Sequence, residues 1–259
     1  FVEDIIIRSP SPNIMNKMQR CVLGMYSYDD NPEDLSLQNL LHQSITLIGC
    51  MPTMMVNAYQ MKRRVYDKQS MFFHLPQPGH CTAEHILSTY RPDQKFTHEE
   101  AKLLDTCLLL HADHGGGNCS TFAPRGGSPS GSDPYSAIAA GIGALKGPKH
   151  GGANLQVNRQ LKDILAHVEN YDDDDEVREY LRRILRKQAG DGSGLIYGMG
   201  HAVYTISDPR EVILKERARH LAYEKGFEAE YNMLCSIERL APAIFAEEKG
   251  SAKPVCANV

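Results

Sequence analysis

The octapeptide Gly147-Pro148-Lys149-His150-Gly151-Gly152-Ala153-Asn154 separates two helical patterns and constrains the fold more than any other stretch. Before it lies a run of small and apolar residues, 137–144, which follows the helix-start signal Ser132-Asp133-Pro134. After it, apolar side chains recur at helical spacing through residues 157–168. The octapeptide therefore predicts a break between two helices, with Asn154 capping the second. It also predicts a domain seam near residues 150–155, where glycine permits a hinge.

The first of these two helices is unusually small-sided. Residues 137–144 contain only alanine, glycine and isoleucine. Glycine inside a helix costs about 0.5–1 kcal/mol relative to alanine, so Gly141 and Gly143 predict the close approach of another helix. That helix could belong to the same chain or to a second subunit.

Helical patterns also mark much of the remaining chain. Thr97-His98-Glu99-Glu100 is a capping-box pattern that predicts a helix over residues 98–112. Residues 209–225 and 228–248 are predicted as two further helices, with Gly226 at the end of the first. We predict an all-α fold, with one helical domain over residues 1–152 and a second, smaller one over residues 153–259.

Two shorter patterns leave alternatives open. The acidic run 172–176 precedes a helical pattern with basic residues at its far end, an order that suits the helix dipole; a metal site or an acidic tail is the alternative. Residues 5–7 and 71–73 are apolar runs that we expect to be short extended pieces.

Composition excludes several classes of protein. The 259 residues are 42% hydrophobic and 23% charged, as in ordinary globular proteins. A net charge of -4 argues against nucleic acid or an anionic membrane surface as the main partner, and no apolar run is long enough to cross a membrane. Seven cysteines without disulfide or metal-ligand spacing fit a reducing compartment. We therefore expect a cytoplasmic protein with no nucleic-acid or membrane partner.

Three histidine-bearing segments carry the candidate chemistry. The first holds His114 before three glycines, the second is the octapeptide with His150, and the third is Gly198-Met199-Gly200-His201, followed by Asp208-Pro209-Arg210. Imidazoles and a guanidinium flanked by glycine or proline predict a pocket for a small dianion at which protons move. A helix that starts just after His150 favours a neutral imidazole, which can donate a hydrogen bond to a developing enolate.

A zinc site is the alternative interpretation of the first segment. His111, Asp113 and His114 have a spacing that occurs in metal sites, but zinc needs three or four ligands with supporting hydrogen bonds. The sequence offers no clear additional ligand, so we predict no metal. A zinc hydrolase stays open as a competing function, and elemental analysis would detect it.

Together the three segments resemble the citrate synthase family, from about residue 20 to the last residue. The resemblance implies that His150 stabilises the enol of acetyl-CoA and that His201 protonates the ketone oxygen of oxaloacetate. It implies that His114 and Arg210 bind the oxaloacetate carboxylates, for which a guanidinium fork is well suited. His111 is then structural.

The resemblance also implies acetyl-CoA as a co-substrate, with no permanently bound cofactor. This sequence has Gly115 where relatives often have an acidic residue, and Thr205 where they often have a basic residue near the CoA phosphates. The predicted CoA contacts are Leu195, Ile196, Tyr197, Gly198, Met199, Gly200, Lys253 and Asn258.

The family's catalytic base is an aspartate, which the resemblance places directly after Val259. We therefore expect a citrate synthase truncated at both ends, which as this piece releases no CoA from acetyl-CoA and oxaloacetate. Two alternatives use the same fold: a 2-methylcitrate synthase acting on propionyl-CoA, and a non-catalytic fragment that dimerises through the small-residue helix. We expect a homodimer or a hexamer.

Overall fold

The computed structural model describes residues 2–112, 115, 117–200, 206–250 and 255–257. Within these residues the chain is helical and has no β-strand, so the all-α prediction is confirmed. None of the helices described is long and apolar enough to cross a membrane. The helices are α1 (Val2–Arg8), α2 (Ile14–Met25), α3 (Leu37–Val65), α4 (Thr82–Tyr90), α5 (His98–His111), α6 (Cys119–Gly127), α7 (Pro134–Leu145), α8 (Ala153–His167), α9 (Asp174–Leu185), α10 (Pro209–Glu224) and α11 (Glu228–Lys249).

The chain divides into two compact units, Phe1–His150 and Gly151–Val259. The division lies inside the octapeptide that separates α7 from α8. The predicted domains, with limits at 1–152 and 153–259, stay a prediction.

Helix α7 packs tightly in the first unit because its glycines leave room for neighbours. A Cβ added at Gly141 would lie 2.9 Å from Pro124 Cγ and 3.0 Å from the carbonyl oxygen of Ser120, both in α6. A Cβ at Gly143 would lie 2.6 Å from Gln19 Nε2 in α2. The predicted close approach is therefore confirmed, and these neighbours belong to the same chain. The buried core of this unit includes Ile6, Met18, Cys21, Val22, Leu47, Met54, Met61, Tyr135 and Ala139.

The predicted helix starts in the first unit are confirmed. Thr97 Oγ1 accepts a hydrogen bond from the Glu100 amide at 3.2 Å, and Glu100 Oε2 accepts one from the Thr97 amide at 2.7 Å. These reciprocal bonds satisfy amides that a helix N-terminus leaves without partners. Asp133 likewise accepts from the Ser136 amide at 2.9 Å, with Pro134 in the first turn of α7.

Two local predictions are wrong. Asn154 does not cap α8, because the helical conformation already begins at Gly152 (φ −65°) and Asn154 lies in the first turn. Residues 5–7 belong to α1, where Ile6 is buried in the core of the first unit; tertiary packing overrides their strand preference. Residues 71–73 lie in the irregular connection between α3 and α4, and the expectation of an extended piece there stays a prediction.

The second unit is built on α8, α9 and α11. The acidic run 172–176 starts α9 as predicted: Asp173 accepts hydrogen bonds from the Asp175 and Glu176 amides, and Asp174 pairs with Arg239. Gly226 ends α10 in the left-handed region (φ +76°), as predicted. The core consists of buried apolar side chains, among them Ile164, Val168, Val177, Leu181, Ile184, Met233, Leu240, Ala241 and Ile244.

Candidate active site

His150 is positioned by a tight turn that follows α7. The His150 amide donates to the carbonyl oxygen of Gly147 at 3.0 Å, which closes a four-residue turn. Pro148 occupies the second position of that turn, where its fixed φ is favoured. The turn formed by Gly-Pro-Lys-His thus fixes the backbone position from which the His150 side chain extends.

A chain of hydrogen bonds connects this imidazole to the start of α6. His150 Nε2 lies 2.8 Å from Ser120 Oγ, and Ser120 Oγ lies 2.7 Å from Asn118 Oδ1. Asn118 is the N-cap of α6 and accepts a hydrogen bond from the Thr121 amide at 2.9 Å. Its Nδ2 donates to the carbonyl oxygen of Gly115 at 2.8 Å. The chain therefore links His150 with the residue that directly follows His114.

The Ser120 hydroxyl couples this chain to the tautomer of His150. Because Asn118 Oδ1 can only accept, a Ser120 hydroxyl that donates to it leaves its oxygen to accept a proton from His150 Nε2. If the hydroxyl rotates and donates to Nε2, the neutral ring carries its proton on Nδ1 instead. Asn118 Oδ1 keeps the Thr121 amide as a donor in both arrangements. A hydroxyl rotation thus selects which ring nitrogen of His150 can donate.

Several predicted site residues lie outside the described residues: His114, His201, Lys253 and Asn258. His111 is described, and its Nδ1 lies 2.7 Å from the carbonyl oxygen of Cys107 in its own helix, which fits a structural role. No group of three or more histidine, cysteine, aspartate or glutamate side chains that could hold a metal ion occurs among the residues that the structure describes. Because the zinc alternative also involves residues outside that part, the absence of a metal stays a prediction.

Arg210, in the first turn of α10, is held by a buried carboxylate. Asp208 is fully buried and caps the helix, accepting a hydrogen bond from the Arg210 amide at 2.9 Å. The guanidinium donates to the same carboxylate from Nη2 at 2.6 Å and from Nε at 3.1 Å. Pairing with Asp208 therefore fixes the orientation of the planar guanidinium group, whose geometry suits carboxylates.

The predicted CoA loop and the start of α10 meet at the segment 255–257. The Gly200 amide donates to the Cys256 carbonyl at 2.7 Å, and the Asp208 amide donates to the Ala257 carbonyl at 3.3 Å. Met199 forms an isolated antiparallel bridge with Ala257. Gly200 has a positive φ of +87°, which a residue with a side chain rarely adopts, so glycine is required at this junction. Within the second unit the structure therefore brings the loop and Arg210 to the same short segment.

A cluster of charges on α10 and α11 lies beside this junction. Lys215 pairs with Glu238, while Glu211 Oε2 is buried and has no hydrogen-bond partner among the residues that the structure describes. Burial raises the pKa of Glu211, and the nearby negative charges of Glu238 and Asp208 act in the same direction, whereas Lys215 opposes them. When Glu211 is ionised, its negative charge is thus only partly compensated by the positive charge of Lys215.

Sequence reasoning missed the roles of Asn118 and Ser120. An asparagine directly before a helix is a recognised N-cap signal, so the cap could have been predicted. The hydroxyl contact could not, because it joins Ser120 to His150 across an irregular connection and two helices.

The geometry above defines an all-α protein with a turn histidine and a helix-start arginine, and comparisons with known proteins identify its family. The family model described as "Citrate synthase, C-terminal domain" matches residues 1–259. The chain belongs to the citrate synthase family, which confirms the resemblance. It is 39% identical to the citrate synthase of Haloferax volcanii over 244 residues, which cover 93% of this chain and 58% of that protein.

Two further comparisons support the assignment. The citrate synthase of Deinococcus radiodurans is 40% identical over 144 residues, covering 56% of this chain and 35% of that protein. The crystal structure of citrate synthase from Pyrobaculum aerophilum has a TM-score of 0.75 at 23% identity, covering 100% of this chain and 61% of that one, and so shares the fold. The chain spans about a third to just over half the length of these curated relatives.

Proposed function

We propose that the protein condenses an acyl-CoA with oxaloacetate, that the acyl-CoA is acetyl-CoA, and that water then hydrolyses the citryl-CoA thioester to give citrate and CoA. This is the reaction by which acetyl groups enter the tricarboxylic acid cycle. The observation that supports it best is the hydrogen-bond chain from His150 through Ser120 and Asn118 to Gly115, because it orients one predicted catalytic imidazole. Propionyl-CoA is the second candidate substrate, since one methylene changes specificity by only about 1–3 kcal/mol.

In this proposal His150 stabilises the enol of the acyl thioester. Its Nδ1 donates a hydrogen bond to the thioester oxygen while the ring stays neutral, which requires the arrangement in which the Ser120 hydroxyl donates to Nε2. A preoriented donor at a developing oxyanion is among the largest contributions to catalysis. The base that removes the methyl proton lies outside these residues in the proposal.

Arg210 binds a carboxylate of oxaloacetate in the proposal, with the buried Asp208 holding the fork in place. His114 would bind the carboxylates as well, and His201 would protonate the ketone oxygen as the new carbon–carbon bond forms. Fixing both reactants in this way supplies the proximity that a bimolecular condensation needs.

Coenzyme A would bind at residues 195–200, a loop whose glycines expose backbone groups without side chains. Gly198 (φ +82°) and Gly200 lie in the left-handed region, and Leu195 is 52% exposed, so the loop can contact a planar base. CoA supplies the thioester that acidifies the methyl group. Thr205 removes one expected phosphate contact, and we expect weaker binding of the CoA phosphates than in relatives with a basic residue there.

CoA release from acetyl-CoA and oxaloacetate tests the proposed function, measured on the longest natural chain that carries residues 1–259. Replacing the donor in His150→Ala should lower kcat by about 10²- to 10⁴-fold, the usual contribution of a positioned proton-transfer or donor group. Ser120→Ala should lower kcat by about tenfold, because the ring loses one orienting hydrogen bond. Ser130→Ala is the matched control and should leave the rate unchanged. An unchanged rate in His150→Ala would refute the proposal.

We propose a homodimer or a larger assembly in the cytoplasm, as in the expectation from the resemblance. The glycines of α7 do not support a dimer surface on that helix, because α6 and α2 of the same chain already contact them. Light scattering of the purified protein would give the oligomeric state directly.

A further inference from the structure

A buried glutamine of α8 holds the backbone of the loop to which CoA binding is assigned. Gln160 is 7% exposed, its Nε2 donates to the carbonyl oxygen of Leu195 at 2.8 Å, and its Oε1 accepts from the Tyr197 amide at 2.9 Å. Since one partner is an acceptor and the other a donor, the orientation of the amide is fixed. A residue of a neighbouring parallel β-strand makes the same pair of bonds to residues i and i+2. Gln160 thus replaces a strand neighbour that the loop does not have.

The residue between the two bonded groups anchors the loop from the inside. Ile196 is 2% exposed and belongs to the core of the second unit, whereas Leu195 beside it is 52% exposed. The Tyr197 hydroxyl donates to Asp191 Oδ2 at 2.7 Å and so ties residue 197 to the segment that precedes the loop. The conformation of residues 195–197 is therefore set on one side by the core and on the other by two side-chain hydrogen bonds.

We propose that Gln160 is a positioning residue for the nucleotide half of CoA: it fixes the 195–197 backbone so that peptide groups of the loop can bind the edge of the adenine. This inference rests on the proposed function, in which residues 195–200 contact CoA. Adenine presents donors and acceptors at fixed spacing, so its recognition by backbone groups requires a loop with one conformation. Without Gln160, the Leu195 carbonyl and the Tyr197 amide must turn toward water, and the loop leaves that conformation.

Two substitutions remove both or only one of the hydrogen bonds that Gln160 makes to the loop. Gln160→Met keeps the length and shape of the side chain and removes both hydrogen bonds, whereas Gln160→Glu keeps an acceptor for the Tyr197 amide and removes the donor to Leu195. Gln156→Met is the matched control, because Gln156 lies one turn earlier on α8 and is half-buried. Thermal unfolding of each variant shows whether it is folded.

The probes are CoA, adenosine 3′,5′-bisphosphate, which is the nucleotide half of CoA, and pantetheine, which lacks the nucleotide. Calorimetric titration should show Gln160→Met binding CoA and the bisphosphate about tenfold more weakly, the change expected for loss of one to two ordinary hydrogen bonds. Pantetheine affinity should not change, and Gln156→Met should bind all three as the unsubstituted chain does. Hydrogen exchange at the Tyr197 amide should be faster in Gln160→Met and remain slow in Gln160→Glu. A purely structural role would lower the affinity for all three probes together.

The outcomes separate this inference from the proposed function. If the unsubstituted chain binds neither CoA nor the bisphosphate, the proposed function fails at this loop. If it binds both, and a folded Gln160→Met or Gln160→Glu binds them equally well, only the role of Gln160 is overturned. Should Gln160→Met not fold, Gln160→Glu decides: bisphosphate affinity reduced while pantetheine affinity is kept supports positioning, and equal losses overturn it.

Discussion

Replacing Gly141 with alanine tests whether the packing of α7 against α6 supports the candidate site. The new Cβ would lie 2.9 Å from Pro124 Cγ and 3.0 Å from the Ser120 carbonyl oxygen, whereas carbon atoms in contact prefer about 3.5–4.0 Å. Neither neighbour is a flexible side-chain end, so α6 itself must shift. Overpacking of this kind costs about 1–3 kcal/mol, and the better helix propensity of alanine returns about 0.5–1 kcal/mol.

We therefore expect Gly141→Ala to lower the free energy of unfolding by about 0.5–2 kcal/mol. Gly143→Ala is the matched control on the same helix, because the three atoms nearest its Cβ all belong to the Gln19 side-chain amide, the end of a side chain that can rotate away. That variant should be neutral or more stable by up to about 1 kcal/mol. One kcal/mol corresponds to about 2–4 °C in Tm for a chain of this size, so circular dichroism melts resolve the pair.

The same substitution should also affect catalysis, because Ser120 is the hydrogen-bond partner of His150. A shift of α6 by a few tenths of an ångström displaces the Ser120 hydroxyl, and kcat for CoA release should fall in Gly141→Ala but not in Gly143→Ala. Equal stability and equal kcat in the two variants would show that α6 can shift without loss of folding free energy, contrary to the packing argument.

Three further predictions concern stability. Glu211→Gln should raise Tm at pH 7–8, and the gain should shrink toward pH 4.5: burial raises the folded-state pKa of Glu211, so its ionisation destabilises the fold as pH rises above the ordinary value of 4.5. Lys17→Met should lower the free energy of unfolding in urea by about 1–3 kcal/mol, because Lys17 is only 1% exposed and its ammonium group donates to Ser9 and, at 2.6 Å, to the Ile5 carbonyl. An unchanged urea midpoint would contradict this. Gly226→Ala should lower the free energy of unfolding by about 1 kcal/mol because of the positive φ at this position, whereas Gly126→Ala inside α6 should not destabilise the fold. Thermal melts of the two variants would make this comparison.

Local signals predicted much of the fold. Thr97, Asp133 and Gly226 mark helix ends because capping and left-handed glycine depend on the residue and its immediate neighbours. Gly141 and Gly143 indicated a close contact, although the sequence could not say that the neighbours are α6 and α2. Asn154 was misassigned because the helix begins earlier, which depends on the backbone angles of Gly152 and not on residue type.

The site was predictable only in part. His150 and Arg210 stood out through their glycine and proline neighbours, and the structure shows how a turn and a buried aspartate hold them. The contacts made by Ser120 and Gln160 join residues that are distant in sequence, and neither residue type signals a specific partner by itself. Such contacts follow from the packing of helices, which no local pattern determines.

The junction at residues 255–257 has a consequence for local stability. One short stretch of backbone accepts the amides of both Gly200 and Asp208, so an opening that removes this stretch exposes both amides at once. Detachment of residues 255–257 would break the hydrogen bonds of both amides in the same event. If residues 255–257 detach as a unit, hydrogen exchange at the two amides should report one common opening free energy, whereas separate openings of the loop and of the start of α10 would give two different values.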